Sequence, residues 1–270
     1  MTTNDGRMTP DFVFCHTRAV DPEFQDEFSK QAAQYAKHRP RYPAALIDFV
    51  VSLAPGRVLA WDCATGNGQV AVALAEGFGA VHASDPSAAQ LEHAQRHPRV
   101  RYALEPGEAC GLPSASADLV TCAQALHWMR PAEFFAEVRR VLKPGGVFAA
   151  WTYWECRTPS ADINKLVDRF TLEDLGSYWA PQVALRSKGN RGIEIPFEPV
   201  SCPEFVMEAD WDLSAFMGYL RSWSAVQHYI DRHAQSPLGG LQKLIEPLWG
   251  DPGERKTVSW NLNLRAGRNV

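Results

Sequence analysis

The segment that most constrains this chain is a short apolar run that ends in an acid and leads into a glycine-rich loop. Residues 57–62 read Arg-Val-Leu-Ala-Trp-Asp, and residues 65–68 read Thr-Gly-Asn-Gly. The apolar run predicts a buried strand, and residues 69–76 predict a helix that Gly77 closes. A strand, a glycine loop and a helix in this order form the crevice at which α/β proteins bind nucleotide-containing ligands.

Strands and helices keep alternating after this first unit. Such alternation produces βαβ units with right-handed crossovers, so we predict an α/β fold with a doubly wound, mainly parallel sheet. The pattern predicts strands at 80–84, 100–104, 118–122 and 147–151, and helices at 87–96 and 131–142.

The flanking regions predict a single domain with additions to this core. The chain has 270 residues, of which 46% are hydrophobic and 21% charged, and this composition suits one globular domain. We divide it into a helical cover at 1–55, a cofactor-binding core at 56–151, an insertion or lid at 152–192 and a C-terminal part at 193–270. Further predicted elements are helices at 26–38, 44–53, 162–175, 213–231 and 238–246, the last stopped by Pro247, and strands at 194–206 and 257–264.

Charge and cysteine content favour some partners and locations over others. A net charge of −4 gives no broad basic field, so we expect a small-molecule substrate rather than nucleic acid. No apolar stretch has the length of a membrane span or of a signal peptide. The six cysteines contain no C-x-x-C pair and no zinc-site spacing, so we expect no metal, reduced thiols and a cytoplasmic location.

The glycine loop by itself leaves two cofactors open. Residues 66–71 also fit the dinucleotide pattern G-x-G-x-x-A. Asp85, at the end of the second predicted strand, suits the ribose hydroxyls of either cofactor. Asp62 favours S-adenosylmethionine, because an acid attracts the ammonium group of its amino-acid tail and repels a pyrophosphate.

The order of motifs from about Val58 to Trp151 resembles the class I S-adenosylmethionine-dependent methyltransferase family. The resemblance adds Pro-Gly-Glu-Ala at 106–109, Asp-Leu-Val at 118–120 and Leu-Lys-Pro-Gly-Gly at 142–146 to the glycine loop. The chain departs from it at Ala64, where many members have glycine. The resemblance implies a Rossmann-like sheet of seven strands, with the strand at 257–264 antiparallel beside strand five.

Other segments resemble the branch of trans-aconitate-type and related small-molecule methyltransferases. These segments are 35–43, 124–128 and 218–224. The branch implies that the N-terminal helix covers the cofactor, whereas a solvated basic turn is the alternative for residues 37–41. Together the motifs and the resemblance predict these residues at the cofactor: Tyr35, Arg39, Asp62, Ala64, Thr65, Gly66, Asn67, Gly68, Gln69, Asp85, Pro86, Ser87, Glu108, Ala109 and Gln124.

Methyl transfer from a sulfonium needs alignment and exclusion of water more than a dedicated nucleophile. His127, after strand four, is the candidate base for an acceptor that carries a proton, and a histidine packed beside Trp128 is the alternative. Strand four lacks the Asn/Asp-Pro-Pro-Tyr pattern of enzymes that methylate planar amines, which disfavours such acceptors. The resemblance implies an oxygen acceptor, carboxylates included. We predict acceptor contacts at Trp128, Tyr153, Trp154, Arg221 and Trp223.

Two other functions stay open at this point. One is an NAD-dependent oxidoreductase, which the glycine pattern permits. The other is a protein that binds S-adenosylmethionine without catalysis, because methyl transfer requires few obligatory residues. The sequence does not indicate the oligomeric state.

Overall fold

The structure is a computed structural model that describes residues 39–270. Tyr35 and the predicted helix at 26–38 lie outside the described residues. No described helix is long and apolar enough to cross a membrane. The described strands are β1 (Leu59–Cys63), β2 (Ala80–Asp85), β3 (Val100–Leu104), β4 (Ala117–Ala123), β5 (Leu142–Thr152), β6 (Glu198–Val200), β7 (Phe205–Trp211) and β8 (Lys256–Arg268).

The strands form one mixed sheet in the order β3-β2-β1-β4-β5-β8-β6. Strands β1 to β5 pair in parallel, and β8 pairs antiparallel with β5, β6 and β7. The predicted doubly wound sheet, with an antiparallel strand beside strand five, is therefore confirmed.

The predicted strand at 194–206 instead forms two short strands. Strand β6 pairs with residues 266–268 and β7 with residues 256–262, so the two follow one another along β8. The sheet thus contains eight strands in seven positions. Pro203 lies in the break, where its missing N–H cannot take part in a ladder of hydrogen bonds.

Both faces of the sheet are buried, as a doubly wound fold requires. Neighbouring residues of β5 alternate between two core clusters, with Val147 and Ala149 in one and Phe148 and Ala150 in the other. The flanking α-helices are α1 (Ala44–Leu53), α2 (Gln69–Ala75), α3 (Ala88–Glu92), α4 (Pro131–Val141), α5 (Ala161–Arg169), α6 (Val183–Ser187), α7 (Leu213–Arg221), α8 (Ser224–His233) and α9 (Leu238–Trp249).

Four helices differ from the sequence prediction. The helix predicted at 87–96 is the short α3, which ends at Glu92. The predicted helix at 213–231 breaks into α7 and α8, because Ser222 bonds back to the Tyr219 carbonyl and Trp223 is extended. Helix α5 ends at Arg169 and continues as a wider π-helical turn over 170–174. Helix α9 runs past Pro247 to Trp249, whose buried ring stacks on Phe216 at 5.4 Å between centroids and holds the last turn.

Candidate active site

The glycine loop follows β1 and reverses the chain into α2. Ala64, Gly66 and Gly68 have φ angles of 53°, 55° and 79°, and Thr65 donates its N–H to the Ser84 carbonyl at 3.0 Å. An alanine in this left-handed conformation costs on the order of 1 kcal/mol. The loop thus holds its shape at Ala64 even though the residue lacks the freedom of glycine.

Gly68 is required at its position for a steric reason as well. A Cβ added there would lie 2.0 Å from the Tyr102 hydroxyl oxygen, and that hydroxyl donates to the Gln95 carbonyl at 2.5 Å. The side chain of Tyr102 therefore closes one side of the glycine loop.

We expect Gly68→Ala to lower the free energy of unfolding by about 2–3 kcal/mol, because it adds both a clash and a left-handed alanine. Gly239→Ala is the matched control, since no atom lies within 4 Å of its added Cβ and it sits in helix α9. There alanine should raise stability by up to about 1 kcal/mol. Equal effects of the two variants in denaturant unfolding would contradict this account.

Asp62 lies at the end of β1, only 1% exposed. Its carboxylate accepts hydrogen bonds from Thr65 Oγ1 at 2.5 Å and from Thr121 Oγ1 at 2.8 Å. Burial nevertheless raises its pKa to about 6, and the charge of Asp85 adds to this rise. The site therefore holds a buried negative charge that a cation would stabilise.

Asp85 lies at the end of β2 and fastens the glycine loop to the start of α3. One carboxylate oxygen accepts the N–H of Gly66 at 2.8 Å, and the other accepts the N–H of Ser87 at 2.9 Å. Ser87 in turn caps α3. Asp85 thereby fixes the position of the glycine loop relative to the end of β2 and the start of α3.

The remaining predicted cofactor residues lie around the same edge of the sheet. Gln69 donates to the Pro40 carbonyl at 3.3 Å, and Glu108 accepts the N–H of Arg130 at 2.9 Å. Gln124 has a φ of 57° and bridges the ends of two strands through Thr152 and the Tyr153 carbonyl. Asn67, Pro86 and Ala109 lie in the loops that these contacts hold.

His127 lies in the short 3₁₀ turn Leu126–Trp128 after β4. Its ring is 3% exposed, and neither nitrogen has a hydrogen-bond partner among the described residues. Burial, followed by the charge of Arg186, lowers its pKa to about 3. Its ring also packs beside that of Trp128, at 5.1 Å between centroids. Its surroundings therefore favour the neutral form of the ring.

A cavity of about 150 Å³ lies beyond the end of β5. The predicted acceptor residues Tyr153, Trp154 and Trp223 line it, and Trp128 lies nearby on the 3₁₀ turn that α6 contacts. Arg221 is exposed at the end of α7 and does not line the cavity. A solvated helix end keeps that guanidinium in water.

Two other arginines line the cavity. Arg39 donates to the Tyr153 hydroxyl at 3.1 Å and lies over the Tyr219 ring, whereas the resemblance implied a position at the cofactor's carboxylate. Arg186, on α6, lies over the Trp154 ring at 4.6 Å. Sequence reasoning missed Arg186 and Trp179, and the only available signal was the concentration of tryptophans after residue 150.

Comparisons with known proteins agree with this geometry. Residues 61–150 match the family described as a methyltransferase domain. A Dictyostelium discoideum protein named as a methyltransferase is 31% identical over 89% of this chain and 93% of its own length. A solved structure described as a type II methyltransferase from Anaeromyxobacter dehalogenans is 42% identical, covers 86% of this chain and 98% of its own, and has a TM-score of 0.79.

The chain belongs to the class I S-adenosylmethionine-dependent methyltransferase family. A Saccharomyces cerevisiae relative, 30% identical over 46% of this chain and 45% of its own, is named as S-adenosylmethionine-dependent. The cofactor of this methyltransferase is S-adenosylmethionine, and the NAD-dependent alternative is set aside.

The residues of the methyltransferase site fit this cofactor. The buried carboxylate of Asp62, with its raised pKa, suits an ammonium group. Asp85 lies at the end of β2 beside the glycine loop, the position at which a carboxylate suits ribose hydroxyls. When bound, the cofactor supplies a methyl group that is already activated by the sulfonium. The protein has only to hold the acceptor in line and exclude water.

Proposed function

We propose that this methyltransferase methylates a carboxylate oxygen of a small molecule. The observation that carries the proposal is the state of His127, which is neutral, buried and without a hydrogen-bond partner among the described residues. A hydroxyl acceptor needs a base of matched pKa, whereas a carboxylic acid is already ionised at neutral pH. A carboxylate therefore fits a site whose candidate base is too weak.

In this proposal, one set of residues binds the cofactor and another encloses the acceptor. Asp62 holds the ammonium group and Asp85 the ribose hydroxyls, while Glu108, Gln124 and the glycine loop surround the rest of the cofactor. Residues 152–192 act as a lid, since Trp154, Trp179 and Arg186 from this segment wall the cavity. This arrangement supports the predicted kinship with the trans-aconitate-type branch, whose acceptors are small molecules.

We also propose a cytoplasmic location and no nucleic-acid substrate. The five cysteines of the described part of the chain are all free thiols, and four of them are buried, which suits a reducing compartment. The net charge of −4 gives nucleic acid no general attraction.

The test is an acceptor screen in which each carboxylic acid is paired with its primary alcohol and its amide. We expect S-adenosylhomocysteine and a methyl ester to form from acids alone, as measured by mass spectrometry. Because His127 stays neutral far above its pKa of about 3, the rate at saturating S-adenosylmethionine should not change between pH 6 and 9, and His127→Gln should keep that flat profile. Methylation of alcohols with a rate that falls below pH 6.5, and is lost in the variant, would contradict the proposal.

A further inference from the structure

Two tyrosines lie in the wall of the cavity beyond β5. Tyr153 directly follows β5 and Tyr219 lies on α7, and both side chains are buried. Both residues line the cavity of about 150 Å³. Their hydroxyl groups are thus removed from bulk water, beside a space that a small molecule can enter.

Each of the two hydroxyl oxygens accepts a hydrogen bond from a group that can only donate. Arg39 Nη1 donates to Tyr153 at 3.1 Å, and the indole N–H of Trp260 donates to Tyr219 at 3.0 Å. A guanidinium and an indole N–H have no acceptor, so neither bond uses the hydrogen of the tyrosine hydroxyl. Within the described part of the chain no atom accepts either O–H. A buried donor without an acceptor is unfavourable, and a ligand oxygen in the cavity would remove this cost.

Shared contacts hold the two tyrosines close to one another. Both rings contact Trp260 edge to face, at 6.3 Å for Tyr153 and 5.3 Å for Tyr219 between ring centroids. The guanidinium of Arg39 that bonds to the Tyr153 hydroxyl also lies over the Tyr219 ring, at 5.4 Å from its centroid. Because contacts on two sides fix the relative position of the rings, the two O–H groups can act together on one ligand.

Two fixed donors select a ligand group that only accepts hydrogen bonds. Burial raises the pKa of Tyr219 far above its ordinary value, and the neighbouring Tyr153 adds to this rise. The Tyr219 hydroxyl therefore stays protonated and remains a donor at neutral pH. A carboxylate suits such donors, because it has no hydrogen of its own and its charge makes each hydrogen bond shorter and stronger. The neutral oxygens of alcohols and esters form weaker bonds.

We propose that the hydroxyl groups of Tyr153 and Tyr219 form a donor pair that binds the carboxylate of the acceptor in the cavity beyond β5. This inference rests on the proposed carboxylate methylation and names the residues that recognise its substrate. Methylation turns the carboxylate into an uncharged ester, whose oxygens accept weaker hydrogen bonds. The donor pair therefore holds the substrate more tightly than the product, which favours release of the ester.

The first test measures how the straight-chain monocarboxylates from acetate to hexanoate bind to the full chain saturated with S-adenosylhomocysteine, by calorimetry and by quenching of tryptophan fluorescence. The acid that binds most tightly is then compared with its primary alcohol and its methyl ester. We expect the acid to bind about tenfold more tightly than either, because hydrogen bonds to a charged group are roughly twice as strong as neutral ones. Equal binding of the alcohol or the ester, or no binding of any acid, would overturn the proposal.

Phenylalanine variants remove only the two hydroxyl groups and make the test specific. Tyr153→Phe and Tyr219→Phe should each weaken binding of the acid about tenfold and binding of its alcohol less than about threefold, because a charged ligand gains more from each donor. Tyr229→Phe is the matched control, since this tyrosine lies on α8 and does not line the cavity. It should bind the acid as the wild type does.

Stability and cofactor affinity separate a loss of binding from a loss of folding. Tyr219→Phe also leaves the indole N–H of Trp260 without its acceptor, so its unfolding temperature should fall. Tyr153→Phe keeps that bond and decides the test if Tyr219→Phe does not fold. Folded variants should bind S-adenosylhomocysteine as the wild type does, and unchanged acid binding in folded Tyr153→Phe would overturn the proposal.

The outcomes separate this inference from the proposed function. Methyl-ester formation with a wild-type KM for the acid in both Tyr153→Phe and Tyr219→Phe would overturn the donor pair while carboxylate methylation stands. Methylation of alcohols instead of acids would overturn both.

Discussion

Asp85→Ala is expected to weaken S-adenosylhomocysteine binding at least a hundredfold. The substitution removes the anchor of Gly66 and Ser87, whose N–H groups lie 2.8 and 2.9 Å from the carboxylate, together with the acceptor for the ribose. Hydrogen bonds to a charged group contribute about 1.5–3 kcal/mol each, so the free energy of unfolding should also fall by about 3 kcal/mol. Calorimetric titration and urea unfolding measure the two effects.

Asp212→Ala is the matched control for this prediction. Asp212 also caps a helix, accepting the Ala215 N–H at 2.7 Å, but it belongs to α7 and does not lie in the glycine loop. Its loss should cost about 1 kcal/mol of stability and leave S-adenosylhomocysteine affinity unchanged. NAD should bind neither the wild type nor the variants. The same affinity in the Asp85 and Asp212 variants would remove Asp85 from the cofactor site.

Asp62→Asn is expected to move binding and stability in opposite directions. The amide cannot pair with the cofactor's ammonium, so S-adenosylhomocysteine should bind tenfold to a hundredfold more weakly. The free energy of unfolding of the cofactor-free protein should rise by about 1–2 kcal/mol at pH 7.5, because the substitution removes a buried charge. The pKa of Asp62 lies about two units above its ordinary value, and each unit corresponds to about 1.4 kcal/mol. The weaker hydrogen bonds of the amide offset part of this gain.

The pH dependence of stability in the wild type and in Asp62→Asn tests the direction of the Asp62 pKa shift. The folded-state pKa of Asp62 is about 6 against 3.8 for the unfolded chain, so its proton stabilises the cofactor-free protein below pH 3.8 and this stabilisation is lost as pH rises through 6. The stability advantage of Asp62→Asn should therefore be full at pH 7.5 and largely gone at pH 4. A constant advantage across this range would mean that Asp62 is not the titrating group. Thr65→Val, which removes one hydrogen bond to the carboxylate, should lower stability instead.

The parts of the fold that sequence could predict are those whose signals are local. Helix α1 and strand β3 form at the predicted residues, because Pro43 and the apolar runs determine their limits within a few positions. The break between α7 and α8 depends on one serine hydroxyl that turns back onto the Tyr219 carbonyl. The extension of α9 past Pro247 depends on the packing of Trp249 against Phe216. Neither contact is visible in a hydrophobic pattern.

In the candidate site, too, the residues with a local sequence signal could be predicted, whereas those placed by tertiary packing could not. Asp62, Asp85 and the glycine loop could be predicted, because each stands at a strand end with a recognisable spacing. Arg186 and Arg221 have the same chemistry, and only the packing of α6 against the 3₁₀ turn near His127 decides which of them faces the cavity. The burial of His127 is likewise not revealed by its sequence neighbours.

Strand β8 follows every other described strand in the chain, yet it lies between β5 and β6. During synthesis on the ribosome, β5, β6 and β7 therefore emerge before the strand with which all three pair. Their edges remain unpaired until residues 256–268 leave the exit tunnel. Contacts between such distant segments slow folding, and the waiting edges are open to other chains. The sheet is therefore complete only once β8 has been inserted between β5 and β6.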